Sequence, residues 1–258
     1  MRWWIVATLT VAAGVGLGFV HPFGNPRVES EKGLDTLLQN SEIPADARAI
    51  LAAKCSDCHS NETRWPVYSR IAPGSWLIER DIVEGRRHMN LSNWRQTTAD
   101  GQAVLMAKIA QQARSGAMPP VQYLALHWNA RLSAAEIQTL AKLSGATGKG
   151  GADEGNTEAA HIGDPEHGKI IFQKRCTGCH ALNADRDGPR LAGVVGREAG
   201  SVPGFAYSSG LKNLGVTWTD TNLEKWLSDP DLMVPDNNMS FRVPKADERR
   251  DLIAFLRK

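Results

Sequence analysis

The chain of 258 residues is long enough for two domains of about 100 residues each, with a linker and a targeting segment to spare. Its hydrophobic fraction is 42%, ordinary for globular protein, and 30 Lys and Arg against 28 Asp and Glu leave a formal net charge of +2. So even a balance argues against a nucleic-acid binder, which normally shows a basic face or stripe.

In chain order, the first feature is an uncharged run from Trp3 to Val20, preceded by Arg2. About 18 residues make a helix of roughly 27 Å, which just reaches across a bilayer core. Positive charge on its N-terminal flank favours an N-inside, C-outside orientation. Residues 1–20 are therefore expected to form a transmembrane anchor, with a cleaved signal peptide ending near Phe19 as the rival. Either reading exports the rest. Gly14 and Gly18 also make a G-x-x-x-G, which in one short span is weak evidence for helix pairing.

A tether over 21–43 leads to a helix over Pro44–Lys54, with Ala47, Ile50 and Leu51 on one face. Loops are expected around Trp65-Pro-Val-Tyr and Ala72-Pro-Gly. Ser75–Gly85 reads as a helix with Ser75 as cap, and Thr98–Ser115 as the clearest helix, with Val104, Leu105, Ile109 and Ala113 roughly on one face and Met106 in the core. Ser133 with Glu136 is a capping box that opens another. The Gly-, Ala- and acid-rich stretch Gly145–Ala160 reads as the core of a flexible linker over 145–162. Asp164-Pro165-Glu166 starts a helix with Pro in its first turn, and a last helix runs from about Lys245 to the end. No stretch alternates as a strand does. The fold class expected is all-α: a domain over 44–144, a domain over 163–258, and an N-terminal membrane helix.

All four cysteines fall in two pentads, Cys55-Ser-Asp-Cys58-His59 and Cys176-Thr-Gly-Cys179-His180. Two thiols three positions apart each add to one vinyl group of a porphyrin, and the next residue, His, lies beneath the iron. A thioredoxin-like dithiol needs a βαβ setting, and a four-cysteine zinc site needs its pairs closer in sequence. The reading is two covalently bound haem c groups, with Cys55, Cys58, Cys176 and Cys179 as attachment points and His59 and His180 as proximal ligands.

A Met thioether at the sixth position of an electron-transfer haem is soft and favours ferrous iron. In the second half Met239 follows the loop Val234-Pro-Asp-Asn-Asn, while Met233 sits beside Leu232 and Val234, where packing suits it. In the first half Met118, on the proline-stiffened Met118-Pro-Pro, is the leading candidate. His127 is the bis-His alternative, with Met89, Met106 and His88 behind.

From Gly168 to the end the chain resembles the class I cytochromes c of mitochondria and bacteria. The carriers are Gly168-Lys-Ile-Ile-Phe172, the second pentad, Gly188-Pro-Arg-Leu-Ala-Gly193, Gly196-Arg197, Pro203-Gly-Phe-Ala-Tyr207, Thr217-Trp218, Trp226, Asp229-Pro230, Met239 and Arg249–Leu256. The resemblance implies that the Pro189 carbonyl accepts from His180, that Arg197, Tyr207 and Trp218 sit at the haem propionates, and that Gly168 lets the terminal helix cross closely. It departs where Trp226 stands for a tyrosine near the Met sulfur, Asp236 for a glycine and Leu211 for an asparagine.

Residues from about Pro44 to Ser144 resemble a bacterial haem-binding domain family. That resemblance is carried by Cys58-His-Ser-Asn-Glu-Thr-Arg-Trp-Pro-Val-Tyr-Ser69, Ile71-Ala-Pro-Gly-Ser-Trp76, Glu84-Gly-Arg86, Asn90-Leu-Ser-Asn-Trp94, Met118-Pro-Pro and Tyr123. The aromatics Trp65, Tyr68, Trp76 and Trp94 either line a haem or fill a small core.

The function expected is a di-haem c-type cytochrome, an electron carrier and not an enzyme. It would work at a bacterial inner membrane with its haem domains in the periplasm, or as a soluble periplasmic protein after signal cleavage. Its partners would be a cytochrome bc-type complex or dehydrogenase on one side and a terminal oxidase or reductase on the other. The rivals are a di-haem peroxidase and the cytochrome subunit of a periplasmic dehydrogenase.

Overall fold

The structure, a computed structural model, describes residues 2–27, 37–39, 42–146 and 163–258. The linker expected over 145–162 lies, beyond Ala146, outside the described residues, as do parts of the 21–43 tether. Among the described residues regular structure is helical throughout, apart from one isolated antiparallel bridge between Glu198 and Thr217. The chain divides into two compact units, residues 1–97 with 129–131, and residues 98–128 with 132–258.

The first unit holds α1 (Arg2–Leu17), α2 (Ala45–Lys54), α3 (Ser56–His59) and α4 (Gly74–His88). The expectation of a membrane-spanning helix over 1–20 is corrected here. Helix α1 has 16 residues, about 24 Å against a bilayer core of about 30 Å, and among the described residues no helix is long and apolar enough to cross a membrane. The apolar run is cut short because its end is built into the unit. A Cβ on Gly18 would strike the carbonyl of Arg70. Beyond it the Trp76 indole donates to the Val20 carbonyl at 2.8 Å, and His21 Nδ1 lies 2.9 Å from the buried carboxylate of Glu79. Gly14 and Gly18 thus serve close packing on residues 70–72 of the same unit.

The core of this unit is Leu37, Ala47, Leu51, Ile82, Leu91 and Trp94. Trp94 is fully buried, Trp65 lies under the Arg27 guanidinium at 3.6 Å, and Trp76 holds the N-terminal segment. Helix α4 begins one residue before the expected start, with Pro73 at its cap position and Ser75 buried inside it.

The second unit begins with α5 (Ala99–Ser115), whose N-terminus is capped by Thr98 Oγ1 accepting from Gly101 N–H, followed by α6 (Val121–Leu124) and α7 (Ala134–Ala146). Ser133 and Glu136 form the reciprocal capping box ahead of α7. Helix α8 (Pro165–Ile171) is capped by Asp164 and runs into a wider turn over Phe172–Cys176 that carries the second pentad. Short helices α9 (Ser209–Lys212), α10 (Asp220–Ser228) and α11 (Pro230–Met233) precede the terminal α12 (Ala246–Leu256).

Helices α8 and α12 cross so closely that a Cβ on Gly168 would collide with the carbonyl of Asp251, and Phe172 and Phe255 pack with ring centroids 5.4 Å apart. Asp251, buried at the crossing, accepts from the Asp164 N–H and pairs with His167, both at 2.7 Å. Phe172, Val194, Trp218, Leu223, Trp226 and Leu252 are central to the core around this crossing.

Candidate functional site

Each pentad is set by a helix that breaks or loosens at its first cysteine. In the first unit Cys55 ends α2 and the turn α3 carries Cys58 and His59. Helix α4 lies across that turn, and a Cβ on Gly85 would come within 2.7 Å of the Cys58 carbonyl. His59 Nδ1 donates to the carbonyls of Gly85 at 2.9 Å and Met89 at 3.1 Å. Arg86 binds the loop after the pentad, donating to the Ser60 carbonyl and to Thr63 Oγ1. Burial lowers the pKa of His59 below that of a free histidine. Burial also pushes Cys55 and Cys58 up to about 12, so both thiols stay uncharged.

The second pentad has the same logic with different parts. His180 Nδ1 donates to the Pro189 carbonyl at 2.8 Å, and Gly188 gives the ring room, since a Cβ there would run into the imidazole. Burial lowers the His180 pKa, pushes Cys176 up to about 12 and raises Cys179.

A cavity of about 250 Å³ opens beside this pentad, lined by Cys176, Cys179, His180 and Pro189 on one side and by Trp218, Trp226 and Met239 among others. Arg197 and Tyr207 line it as well. Arg197 donates to the carbonyls of Arg190 and Ala192, and the Val202 N–H donates to the Tyr207 hydroxyl. The Trp226 indole N–H donates to Met239 Sδ at 3.1 Å, whereas Met233 packs against the apolar core. Asp236 has its own use: its carboxylate accepts from Ser209 Oγ and the Gly210 N–H, which ties α9 to the loop before Met239.

The structure therefore brings Cys55, Cys58 and His59 together in one unit. In the other it gathers Cys176, Cys179, His180, Pro189, Arg197, Tyr207, Trp218, Trp226 and Met239 around one cavity. Met118 and His127 belong to the second unit as well. Met118 is exposed on the loop after α5, and His127 stacks on Tyr123 at 4.1 Å. Of the remaining first-half candidates, Met106 is buried within α5, Met89 offers its carbonyl to His59, and His88 is exposed beside Glu84. Sequence reasoning missed Gly85 and Arg86 as parts of a site, although both stand in the Glu84-Gly-Arg86 triplet. It also missed Val104, Ala107 and Gln111 of α5, which line the second cavity; no local signal marks them.

Both sites fit a covalently held haem. Each offers two thiols kept neutral by burial, as a thioether also is, and a neutral imidazole whose Nδ1–H is engaged by backbone, which leaves the Nε2 lone pair for a metal. Bound there, haem supplies one-electron chemistry at its iron. An all-α chain with this donor set is a haem protein of the c type.

Comparison with known proteins agrees. The haem-binding domain family matches residues 12–145, just over half of the chain, and the cytochrome c family matches residues 165–258. Cytochrome c type-1 of Ascaris suum is 45% identical over 97 residues, 36% of this chain and 87% of that protein. Cytochrome c 2.1 of Caenorhabditis elegans is 44% identical over 97 residues, covering the same shares. Among solved structures, cytochrome cH from Methylobacterium extorquens is 38% identical, covering 36% of this chain and 97% of that one with a TM-score of 0.35. The chain belongs to the haem-binding domain family, with a C-terminal cytochrome c domain of the kind that performs haem-based electron transfer.

Proposed function

We propose that the protein is a di-haem c-type cytochrome that passes single electrons between redox partners on the outer side of a bacterial inner membrane. One observation carries this reading. Both pentads present a half-buried His whose Nδ1 is engaged by backbone carbonyls, beside two uncharged thiols. The proposed iron ligands are His59 for the first haem and His180 with Met239 for the second. The proposed attachment points are the four cysteines, and Arg197, Tyr207 and Trp218 attend the propionates of the second haem. The donor is a quinol-oxidising bc-type complex or a dehydrogenase, and the acceptor a terminal oxidase or reductase.

The proposed location rests on the N-terminal segment. Its close packing at Gly18, the Val20–Trp76 bond and the His21–Glu79 pair support a segment that is retained after export, and the family match already begins at residue 12. Helix α1 then holds the protein to the membrane surface through its exposed apolar side chains.

The test is mass spectrometry of protein expressed with cytochrome c maturation factors and purified from the native host's envelope fraction. The expected mass is that of the chain from its first residues plus two haems, and one haem less in Cys55→Ser/Cys58→Ser. A single haem in the unsubstituted protein overturns the di-haem reading, and a chain beginning near Phe19 overturns retention. Rapid carbon monoxide binding at the first haem would instead favour an enzyme.

A further inference from the structure

The cavity at the second pentad is closed on one side by a helix from outside the cytochrome c match. Helix α5 lies across Cys176–His180 within the second compact unit, and its contacts are specific. Lys108 Nζ pairs with Asp187 at 2.9 Å. Arg114 makes a two-pronged pair with Asp231, at 2.7 and 3.2 Å, and also donates to the Asn237 carbonyl. From the opposite direction Arg175 pairs with Asp100 at 2.8 Å. Between these charges Gln111 Nε2 donates to the Asp187 carbonyl at 2.7 Å, and its Oε1 lies 3.8 Å from Cys179 Sγ. The fit is steric too: a Cβ on Gly178, the residue between the two cysteines' flanks, would meet Val104 at 2.7 Å.

Helix α5 is buried on more than one side. Met106, Ile109, Ala110 and Ala113 form one buried stripe at i, i+3, i+4 and i+7, and Val104, Ala107, Gln111 and Ser115 form a second stripe on the opposite face that lines the cavity. A helix apposed only to α7 would leave Ala107 and Gln111 facing water. Here they line the cavity.

We propose that α5 is a fixed cover over the cysteine edge of the second haem site. The Asp187 and Asp231 carboxylates are taken by this chain's own Lys108 and Arg114, Asp231 being held by Arg242 as well, so an external redox partner must reach the second haem from another side. This inference rests on haem being bound at Cys176 and Cys179. The three ion pairs are partly exposed, so salt should weaken them.

The experiment uses full-length holoprotein and an uncharged quinone as the redox reagent, because a neutral reagent feels no steering by the altered charges. The absorbance change lost or shifted in Met239→Ala identifies the second haem. Its rate of electron exchange is then followed by stopped flow in the wild type and in Lys108→Gln/Arg114→Gln. A several-fold faster exchange in the variant at low ionic strength is expected. In the wild type, where no folding question arises, the rate should rise with salt towards that of the variant. A wild-type rate that salt leaves unchanged, or a variant no faster than wild type with both haems present by mass, overturns the cover. Absence of the second haem by mass would instead defeat the haem assignment itself.

Discussion

At the scale of single residues the two sites depend on space left for a ring or a carbonyl. Replacing Gly85 with Ala would press a methyl group to 2.7 Å from the Cys58 carbonyl, and the pentad turn must shift to relieve it. The expected result is loss of most covalently attached haem from the first site with the second retained, read as a drop of one haem in the protein's mass. Trp226 acts by a different route. Its N–H donates to Met239 Sδ, which withdraws electron density from the sulfur proposed as an iron ligand and favours the reduced iron. Trp226→Phe removes a hydrogen bond of about 1 kcal/mol, so the potential of the second haem should fall by roughly 40 mV for one electron. Redox titration of that haem checks it. An unchanged or higher potential would mean that the indole only packs.

Among elements, the α8–α12 crossing is the joint of the cytochrome c domain. Gly168 lets the backbones meet, and Asp251 fixes the start of α8 through the Asp164 N–H and His167. Gly168→Ala overfills this contact, and overpacking costs about 1–3 kcal/mol. Urea denaturation of the holoprotein should show that loss as a lower midpoint with an unchanged slope. Helix α7 offers a milder probe. Ser133→Ala removes the cap and its reciprocal bond to Glu136, at a cost of roughly 1 kcal/mol.

For the whole molecule, the two proposed haems have different surroundings. His59 shares its Nδ1–H between two carbonyls, His180 gives its own to one, and the second cavity alone has the Trp226–Met239 contact among the described residues. The imidazoles therefore differ in basicity, which tunes the iron. An optical redox titration should resolve two one-electron steps separated by roughly 60 mV or more, the equivalent of a tenfold difference in reducibility. A single two-electron-sized step at one potential would show that these differences cancel.

Much of this was legible in sequence because its causes are local. Caps at Thr98, Ser133 and Asp164 announce where α5, α7 and α8 begin, since each supplies an acceptor to a free N–H within three residues. The pentads declare their chemistry because both sulfurs and the imidazole must reach one porphyrin from a single turn. Hydropathy points to a membrane span that the fold does not form, because it reports apolar length and not whether the end of the run is packed against another segment, as Gly18 is on Arg70. The roles of Gly85, Gln111 and Val104 were not legible for a related reason, although the Glu84-Gly-Arg86 triplet marked Gly85 for the family. Their roles are to meet residues 27, 68 and 74 positions away, Cys58, Cys179 and Gly178. Sequence alone thus determined most of the helices and which donor groups each pentad presents, through contacts a few residues long. Tertiary structure decided which helix covers the second site and what each histidine leans on, because those contacts exist only once distant segments are packed together.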